Sequence, residues 1–279
     1  MLRTRVLSAV GLIPVVALVL LAGEPWLGLL VLIVAGLAAR EAFALLKEAG
    51  VAAEPVVGIV IALVLVGSSW LLGDRLGEVW LLAGVGIVVA AVGATLRFDP
   101  REGFQIWLGT VFGALYIGLL AFLLLIVGNA RGMPASAPLA AWLDGGRGWL
   151  LVGVLAVWAY DTGAYFAGRT FGRRSFMAHI SPLKTWEGVA GGIVLAVIVT
   201  FVTLWAVGGW VPGALVLGPA VGVAAQVGDL AESMLKRAAG AKDSGTLIPG
   251  HGGMLDRIDS ILFAGPVVYF YLILVGAAG

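Results

Sequence analysis

Residues 104–127 read FQIWLGTVFGALYIGLLAFLLLIV and contain no charged side chain. A helix needs about 20 mostly apolar residues to cross the hydrocarbon core of a bilayer, so this run is long enough to span a membrane. Eight more mostly apolar runs of similar length lie at residues 6–23, 25–46, 55–73, 78–96, 148–168, 187–207, 213–235 and 258–277. The sequence therefore predicts an all-α polytopic membrane protein with about nine transmembrane helices.

The composition of the chain agrees with this fold class. Its 279 residues are 61% hydrophobic and 12% charged, whereas an average globular domain has roughly 45–50% apolar and about 25% charged residues. The net charge of +1 does not indicate a nucleic-acid partner. The absence of cysteine excludes disulfides, thiolate metal sites and a cysteine nucleophile.

The positions of lysine and arginine predict the orientation in the membrane. With the N-terminus inside the cell, three of the 17 basic residues fall outside, namely Arg75, Arg131 and Arg147, and the others fall in cytoplasmic segments. Cytoplasmic loops are enriched in Lys and Arg, so we expect a cytoplasmic N-terminus and an external C-terminus in the inner (cytoplasmic) membrane of the cell. The first run ends in LLAGEPW, without a small-x-small cleavage pattern, and is interpreted as a retained helix rather than a signal peptide.

Polar residues gather in the second half of the chain. We predict an N-terminal transmembrane region of about five spans, residues 1–147, and a C-terminal catalytic region of about four spans, residues 148–279. The catalytic region carries two cytoplasmic loops, 169–186 and 236–257. In the N-terminal region, Glu41 and Glu54 lie near predicted span ends, where contact with water is a sufficient explanation.

Two aspartates lie inside predicted spans. Asp161 interrupts VGVLAVWAYDTGAYFAG, and Asp229 interrupts PAVGVAAQVGDLAESMLKR. A carboxylate at depth is costly unless it is paired, protonated or in contact with a water-filled cavity. Gln226, Asp229, Ser233 and Lys236 share one helix face, which predicts a polar stripe lining the bundle interior or a funnel that opens to the cytoplasm. The alternative is a buried helix–helix hydrogen bond or a protonated carboxyl group.

A second pair of aspartates opens the last predicted span. Asp256 and Asp259 are three residues apart, so their carboxylates share a helix face at about 5–6 Å. With Asp229 as a third ligand they form a candidate site for a hard cation such as Mg²⁺, which prefers oxygen ligands. Acidic residues also stabilise a helix N-terminus by about 0.3–1 kcal/mol each, and this alternative could explain either Asp256 or Asp259 alone.

The loop before these aspartates has the composition of a phosphate site. Gly250, Gly252 and Gly253 allow backbone N–H groups to approach an anion closely, directly before a helix N-terminus. The nearby basic side chains are those of Lys236, Arg237, Lys242, His251 and Arg257. For His251 the alternative is a hydrogen bond to a backbone carbonyl.

A second cytoplasmic segment, GRRSFMAHISPLKTWEG at residues 172–188, has a similar polar cluster. Ser181, Lys184 and Thr185 lie just before a predicted helix, where hydroxyl groups, an ammonium group and backbone N–H groups can hold phosphate oxygens. The alternative is an ordinary positive-inside loop that ends in a helix cap.

These segments resemble a known family. Residues 233–260, SMLKRAAGAKDSGTLIPGHGGMLDRIDS, contain the pattern S-x-x-K-R-x4-K-D-x-x-x-x-x-P-x-H-G-G-x-x-D-R-x-D, which is similar to the CDP-diacylglycerol synthase (phosphatidate cytidylyltransferase) signature. DTGAYFAGRTFG at 161–172 and SPLKTWEGVAGG at 181–192 are similar to a second characteristic region of that family. The first 150 residues resemble the family only in hydrophobic character and number of spans.

The resemblance implies that CTP and phosphatidate in the bilayer react to give CDP-diacylglycerol and pyrophosphate, with Mg²⁺ as cofactor. It implies that Asp229, Asp256 and Asp259 bind the metal centre, with a second cation such as K⁺. It also implies that Asp161 and the 181–185 cluster face the nucleotide or its phosphates. The glycine-rich helix faces permit a homodimer without requiring one.

The expected mechanism is in-line attack of the lipid phosphate on the α-phosphorus of CTP, with positioning and charge neutralisation as the main contributions. The candidate catalytic residues are the three aspartates together with Lys242, Asp243 and His251. Asp243 is expected to orient Lys242 or His251 or to support the metal. The candidate residues for binding CTP or lipid phosphate are Asp161, Ser181, Lys184, Thr185, Lys236, Arg237, Gly252, Gly253 and Arg257.

Two other functions are alternatives to this one. A CTP-dependent polyprenol kinase would transfer the γ-phosphoryl group to a lipid alcohol and release CDP. An ion-coupled transporter would use Asp161 and Asp229 as cation sites, but transporters often have repeated halves, and here the polar residues lie in one half. The complete signature favours the cytidylyltransferase.

Overall fold

The structure is a computed structural model that describes residues 11, 14–73, 75–250 and 252–278. These residues form helices joined by short loops, and within the same ranges no strand occurs beyond three isolated β-bridges. Residues 14–22 are helical. The named helices that follow are α1 (Trp26–Glu48), α2 (Pro55–Leu71), α3 (Leu76–Thr95), α4 (Pro100–Gly118), α5 (Ala121–Asn129), α6 (Gly145–Phe171), α7 (Trp186–Ala206), a 3₁₀ turn (Val211–Gly213), α8 (Ala214–Ala238) and α9 (Leu255–Leu274).

Seven stretches of the described chain are long and apolar enough to cross a membrane. They are α1, α3, α4 and α5 together (Pro100–Asn129), α6, α7, the 3₁₀ turn with α8 (Val211–Ala238), and α9. The predicted run 55–73 corresponds to α2, a shorter apolar helix of 17 residues. The first predicted run, 6–23, lies partly outside the described residues. The all-α membrane fold is therefore confirmed for the described ranges, while the count of nine and the orientation stay predictions.

The chain divides into two compact units. The first consists of Met1–Leu125 and Met234–Ile258, and the second of Ile126–Ser233 and Asp259–Gly279. These boundaries come from packing, whereas the predicted division at residue 147 is a functional one and stays a prediction.

In the first unit, α1, α2 and α4 pack around the ring of Phe43, which is 2% exposed. A Cβ on Gly58 of α2 or on Gly113 of α4 would collide with this ring. Small residues allow close approach of helices, and here they make room for one aromatic side chain. A neighbouring cluster of buried residues, Ile61, Leu65, Ala83, Ala90 and Ala114, joins α2, α3 and α4.

In the second unit, α6 and α7 pack through small residues. A Cβ on Gly163 would lie 2.7 Å from the carbonyl oxygen of Gly191, and a Cβ on Gly191 would collide with Ala167. Helices in a bilayer have no hydrophobic driving force for association, so such close backbone contact is a main source of their packing energy. This contact fixes the end of α6 against the start of α7, next to the loop that joins them.

Candidate active site

The loop between α8 and α9, residues 239–254, is held to the first turn of α9, and we call it the signature loop. Lys236 in the last turn of α8 donates from Nζ to Asp256 Oδ1 at 2.6 Å, and the two side chains are 12% and 5% exposed. Asp256 Oδ2 accepts the N–H and the hydroxyl of Ser244 at 2.8 and 2.9 Å and the N–H of Gly253 at 2.8 Å. Both oxygens of Asp256 are therefore engaged, and the loop is folded around this carboxylate.

Glycines occur in the signature loop where neighbouring side chains lie too close to the backbone for a Cβ. Gly252 has a φ of +84°, in the left-handed region that favours glycine, and a Cβ on it would lie 2.5 Å from Asp256 Oδ2. A Cβ on Gly253 would collide with the hydroxyl oxygen of Ser244. The anion that the N–H of Gly253 binds in the structure is the Asp256 carboxylate. Binding of a substrate phosphate by these glycines stays a prediction.

The remaining charged residues near this loop lie at its surface. Arg237 donates from Nη1 to the carbonyl of Ala241 at 3.0 Å, at the C-terminal end of α8, where a cation also offsets the helix dipole. His251 lies outside the described residues. Three further candidates have exposed side chains, namely Lys242, Asp243 and Arg257.

A second polar cluster, within the second unit, joins the α6–α7 loop, residues 172–185, to α8. Lys184 Nζ lies 2.5 Å from Asp229 Oδ2, and the two side chains are 18% and 36% exposed. One turn along α8, Ser233 donates from Oγ to Asp229 Oδ1 at 3.3 Å. Asp229 and Ser233 therefore share one face of α8, as their spacing predicted, and a lysine from a sequence-distant loop neutralises the aspartate.

Local hydrogen bonds hold the α6–α7 loop in place. Thr185 is the N-cap of α7, and its Oγ1 accepts the N–H of Gly188 at 3.1 Å. This is the capping role that the sequence left open as an alternative. Ser181 forms a turn in which its carbonyl accepts the N–H of Lys184 at 3.3 Å. Glu187 Oε2 accepts two backbone N–H groups from the start of the loop, at 3.1 and 3.3 Å.

Asp259 lies where α8 and α9 approach each other in the second unit. A Cβ on Gly228 would collide with the carbonyl oxygen of Asp259, so the backbones that carry Asp229 and Asp259 are in contact. Asp259 Oδ1 accepts the N–H of Ser260 at 2.6 Å. The structure therefore brings together the two helix segments that carry two of the three predicted metal ligands.

Asp161 is an exposed residue of α6. The adjacent Tyr160 is buried and donates its hydroxyl to Gln226 Oε1 of α8 at 2.8 Å. Gln226, one member of the predicted polar stripe on α8, therefore forms a hydrogen bond between α6 and α8. The proposed contact of Asp161 with the nucleotide stays a prediction.

No group of three or more His, Cys, Asp or Glu side chains among the described residues is arranged to hold a metal ion. Asp229 and Asp259 remain the two carboxylates on touching helix segments. The three-aspartate set expected from the family resemblance stays a prediction.

Two residues that shape the signature loop were not predicted: Ser244 within it, and Glu41, for which contact with water was the expected explanation. Glu41 of α1 accepts the backbone N–H groups of Met254 and Leu255 at 3.0 and 2.8 Å. Ser244 donates from Oγ towards Glu41 Oε2 at 3.1 Å. Glu41 could have been identified from its position within the predicted span 25–46. A carboxylate inside a span is costly unless it is paired, protonated or in contact with water, as for Asp229.

Comparison with known proteins gives consistent results. The cytidylyltransferase family matches residues 3–275. A phosphatidate cytidylyltransferase of Synechocystis is 34% identical over 292 aligned positions, covering 97% of this chain and 96% of that protein. Phosphatidate cytidylyltransferases of Haemophilus influenzae and Bacillus subtilis are 47% and 43% identical over 44% and 46% of this chain. Those two alignments span 45% and 49% of the relatives, about half of their length.

Proposed function

Because the chain belongs to the cytidylyltransferase family, we propose that it is a membrane-embedded phosphatidate cytidylyltransferase that makes CDP-diacylglycerol and pyrophosphate from CTP and phosphatidate. The observation that carries the activity is the near full-length similarity to the Synechocystis enzyme of that name. Each unit contains one lysine–aspartate pair, Lys236–Asp256 in the first and Lys184–Asp229 in the second, which supports the roles proposed for these residues.

In the proposed reaction an oxygen of the phosphatidate phosphate attacks the α-phosphorus of CTP. The bond from that phosphorus to the oxygen bridging the α- and β-phosphates breaks, and pyrophosphate leaves with the electron pair. The attacking phosphate is already ionised near neutral pH, so no protein nucleophile is needed. Catalysis then depends on positioning the two substrates and on neutralising their charges.

Lys184 and Lys236 are the proposed cations for the substrate phosphates. Each is largely buried, with 18% and 12% of the side chain exposed, and a buried ammonium group needs a nearby anion. Asp229 and Asp256 supply that anion and hold each Nζ in one place. A phosphate oxygen that approaches either lysine would meet a donor whose position is already fixed, which lowers the reorganisation needed for binding.

For Mg²⁺ we propose Asp229 and Asp259 as the principal protein ligands. Mg²⁺ usually binds through one or two carboxylates, with waters and substrate phosphates completing its shell, and these two aspartates lie on touching segments of α8 and α9. Asp256 would be the third ligand, as the family resemblance implies. When bound, Mg²⁺ would neutralise phosphate charge and stabilise the leaving group. A second cation such as K⁺ belongs to the same proposal.

The other candidates are proposed to complete the binding surface. Thr185 keeps the start of α7 in place through its cap, and Ser181 shapes the turn that presents Lys184. Asp243 is proposed to orient neighbouring basic groups. The residues proposed to contact the nucleotide or the phosphates are Asp161, Arg237, Lys242, His251, Gly252, Gly253 and Arg257.

We place this site on the cytoplasmic side of the inner membrane, where CTP is present and where most basic residues are predicted to lie. The acyl chains of phosphatidate would stay in the bilayer. The glycine-rich helices are compatible with a homodimer, which cross-linking in native membranes would test.

An assay with two labels tests the activity. The detergent-solubilised chain is incubated with phosphatidate, Mg²⁺ and CTP labelled either at the α- or at the γ-phosphorus. We expect the α-label in the lipid product and the γ-label in pyrophosphate, with no turnover in the presence of EDTA. Transfer of the γ-label to lipid would identify a kinase instead, and the absence of either transfer by folded protein would overturn the proposal.

A further inference from the structure

Glu41 binds the signature loop from a helix that carries none of the family motifs. Its Oε1 accepts the N–H of Met254 at 3.0 Å, and its Oε2 accepts the N–H of Leu255 at 2.8 Å. Leu255 is the first residue of α9, and the first N–H groups of a helix have no partner within the helix. Glu41 therefore supplies the cap of α9 from a position 214 residues away in the sequence.

The shape of the loop is adapted to this carboxylate. A Cβ on Gly245 would lie 2.7 Å from Glu41 Oε1, and a Cβ on Gly253 would collide with Glu41 Oε2. Both glycines thus leave room for the same side chain. This gives Gly253 a second reason, besides the nearby Ser244 hydroxyl, to lack a side chain.

Ser244 connects Glu41 to the Lys236–Asp256 pair. Its Oγ lies 3.1 Å from Glu41 Oε2 and 2.9 Å from Asp256 Oδ2, and it accepts the N–H of Asp256 at 3.2 Å. A hydroxyl group has one proton, so at any moment it donates to one of the two carboxylates. Because Ser244 is only 7% exposed, water does not compete freely for this bond. Glu41, Ser244, Asp256 and Lys236 form one connected network within the first unit.

We propose that Glu41 is a positioning residue of the active site. It does not contact a substrate. It fixes the signature loop and the first turn of α9, and through Ser244 it keeps Asp256 and Lys236 in the orientation that phosphate binding requires. This inference rests on the proposed cytidylyltransferase function for its activity measurement, while its structural part can be measured independently.

The test compares three variants of the full-length chain in detergent. Glu41→Gln keeps the size of the side chain but replaces one acceptor oxygen with an amide donor, which faces the N–H and hydroxyl donors already there. Glu41→Asp keeps the carboxylate and shortens it. Glu48→Gln, at an exposed glutamate at the end of the same helix, is the matched control.

The first measurement is steady-state formation of CDP-diacylglycerol. We expect Glu41→Gln to lower kcat by about 10- to 100-fold, the usual effect of removing a partner that orients a functional group. Glu41→Asp should recover part of the loss, and Glu48→Gln should match the wild type. Wild-type kcat in Glu41→Gln would overturn the proposal.

The second measurement is amide hydrogen exchange of peptides covering residues 243–258. We expect Glu41→Gln to lose protection in this segment while helices elsewhere in the chain keep theirs. Loss of protection throughout the chain would show a general effect on folding and would overturn a positioning role. If the wild-type chain makes no CDP-diacylglycerol, the proposed function fails, but the exchange result still decides whether Glu41 holds the loop.

Discussion

Lys184 Nζ lies 2.5 Å from Asp229 Oδ2, so a charged loop is tied to an aspartate on a membrane helix. The pair belongs to one compact unit and is supported by the Thr185 cap and by the Ser233 hydroxyl. A lysine held in this way has a defined position and few conformations to lose when a phosphate binds. The pair therefore gives the α6–α7 loop a specific role in the proposed reaction.

Replacing Lys184 with methionine should strongly lower activity. The variant keeps most of the side-chain length but removes the cation proposed to meet the triphosphate, and the loss of one such preorganised donor typically costs about 10²- to 10³-fold. We expect a fall of that size in kcat/KM for CTP, measured from initial rates with labelled nucleotide. Lys47→Met, at an exposed lysine of α1, is the control and should retain full activity; equal rates for both variants would contradict the role of Lys184.

Asp256 and Asp259 should differ in their effect on stability. Asp256→Asn removes the carboxylate that the buried ammonium group of Lys236 contacts and weakens three contacts from the signature loop. Breaking a buried pair in this way typically costs about 3–5 kcal/mol, so we expect a clearly lower unfolding temperature. Asp259→Asn leaves the Lys236–Asp256 pair and its contacts with the signature loop in place, so it should unfold closer to the wild-type temperature, yet without turnover. Thermal unfolding in detergent measures both, and equal stabilities would argue against the structural role of Asp256.

Binding of Mg²⁺ should depend on Asp229 and Asp259. We expect Asp229→Asn and Asp259→Asn each to weaken Mg²⁺ binding by at least about tenfold, since even residues that only orient metal ligands contribute about 10- to 100-fold. Calorimetric titration with Mg²⁺ in the presence of a non-hydrolysable CTP analogue measures this directly. Asp99→Asn, at the N-cap of α4, is the control. Unchanged Mg²⁺ affinity in both site variants would remove these two aspartates from the metal site.

The contact between α8 and α9 should be sensitive to one methyl group. In Gly228→Ala the added Cβ meets the backbone carbonyl of Asp259, which cannot move aside as a side-chain end could, so the helices must separate. We expect lower stability, by about 1–3 kcal/mol for overpacking, together with reduced turnover. Gly84→Ala on α3 has open space around the new Cβ and should be neutral or stabilising, because alanine is the better helix former. The unfolding temperatures of the two variants measure this difference, and equal temperatures would contradict the predicted collision at Gly228.

Much of the fold could be predicted from the sequence because a membrane-spanning helix is a run of consecutive, mostly apolar residues. The run at 148–168 lies within α6, and the runs at 104–127 and 258–277 overlap α4 with α5 and α9, respectively. The spacing of Asp229 and Ser233 likewise predicted a shared helix face, and the hydrogen bond between them confirms it. Family membership followed from fixed polar positions in one continuous segment, which is also a property of the sequence alone.

The partners of the site residues were decided only by the tertiary structure. Thr185 could have been a phosphate ligand or a cap, and the observed bond to Gly188 is that of a cap. Lys184 meets Asp229 and Glu41 meets the signature loop because helices far apart in sequence pack together. The sequence by itself determined which segments are apolar enough to be candidate membrane spans and which polar residues the second half carries. Which of those residues pair depends on how closely segments of the backbone approach one another. Small residues such as Gly228 and Gly253 permit a close approach, but no local sequence pattern specifies it.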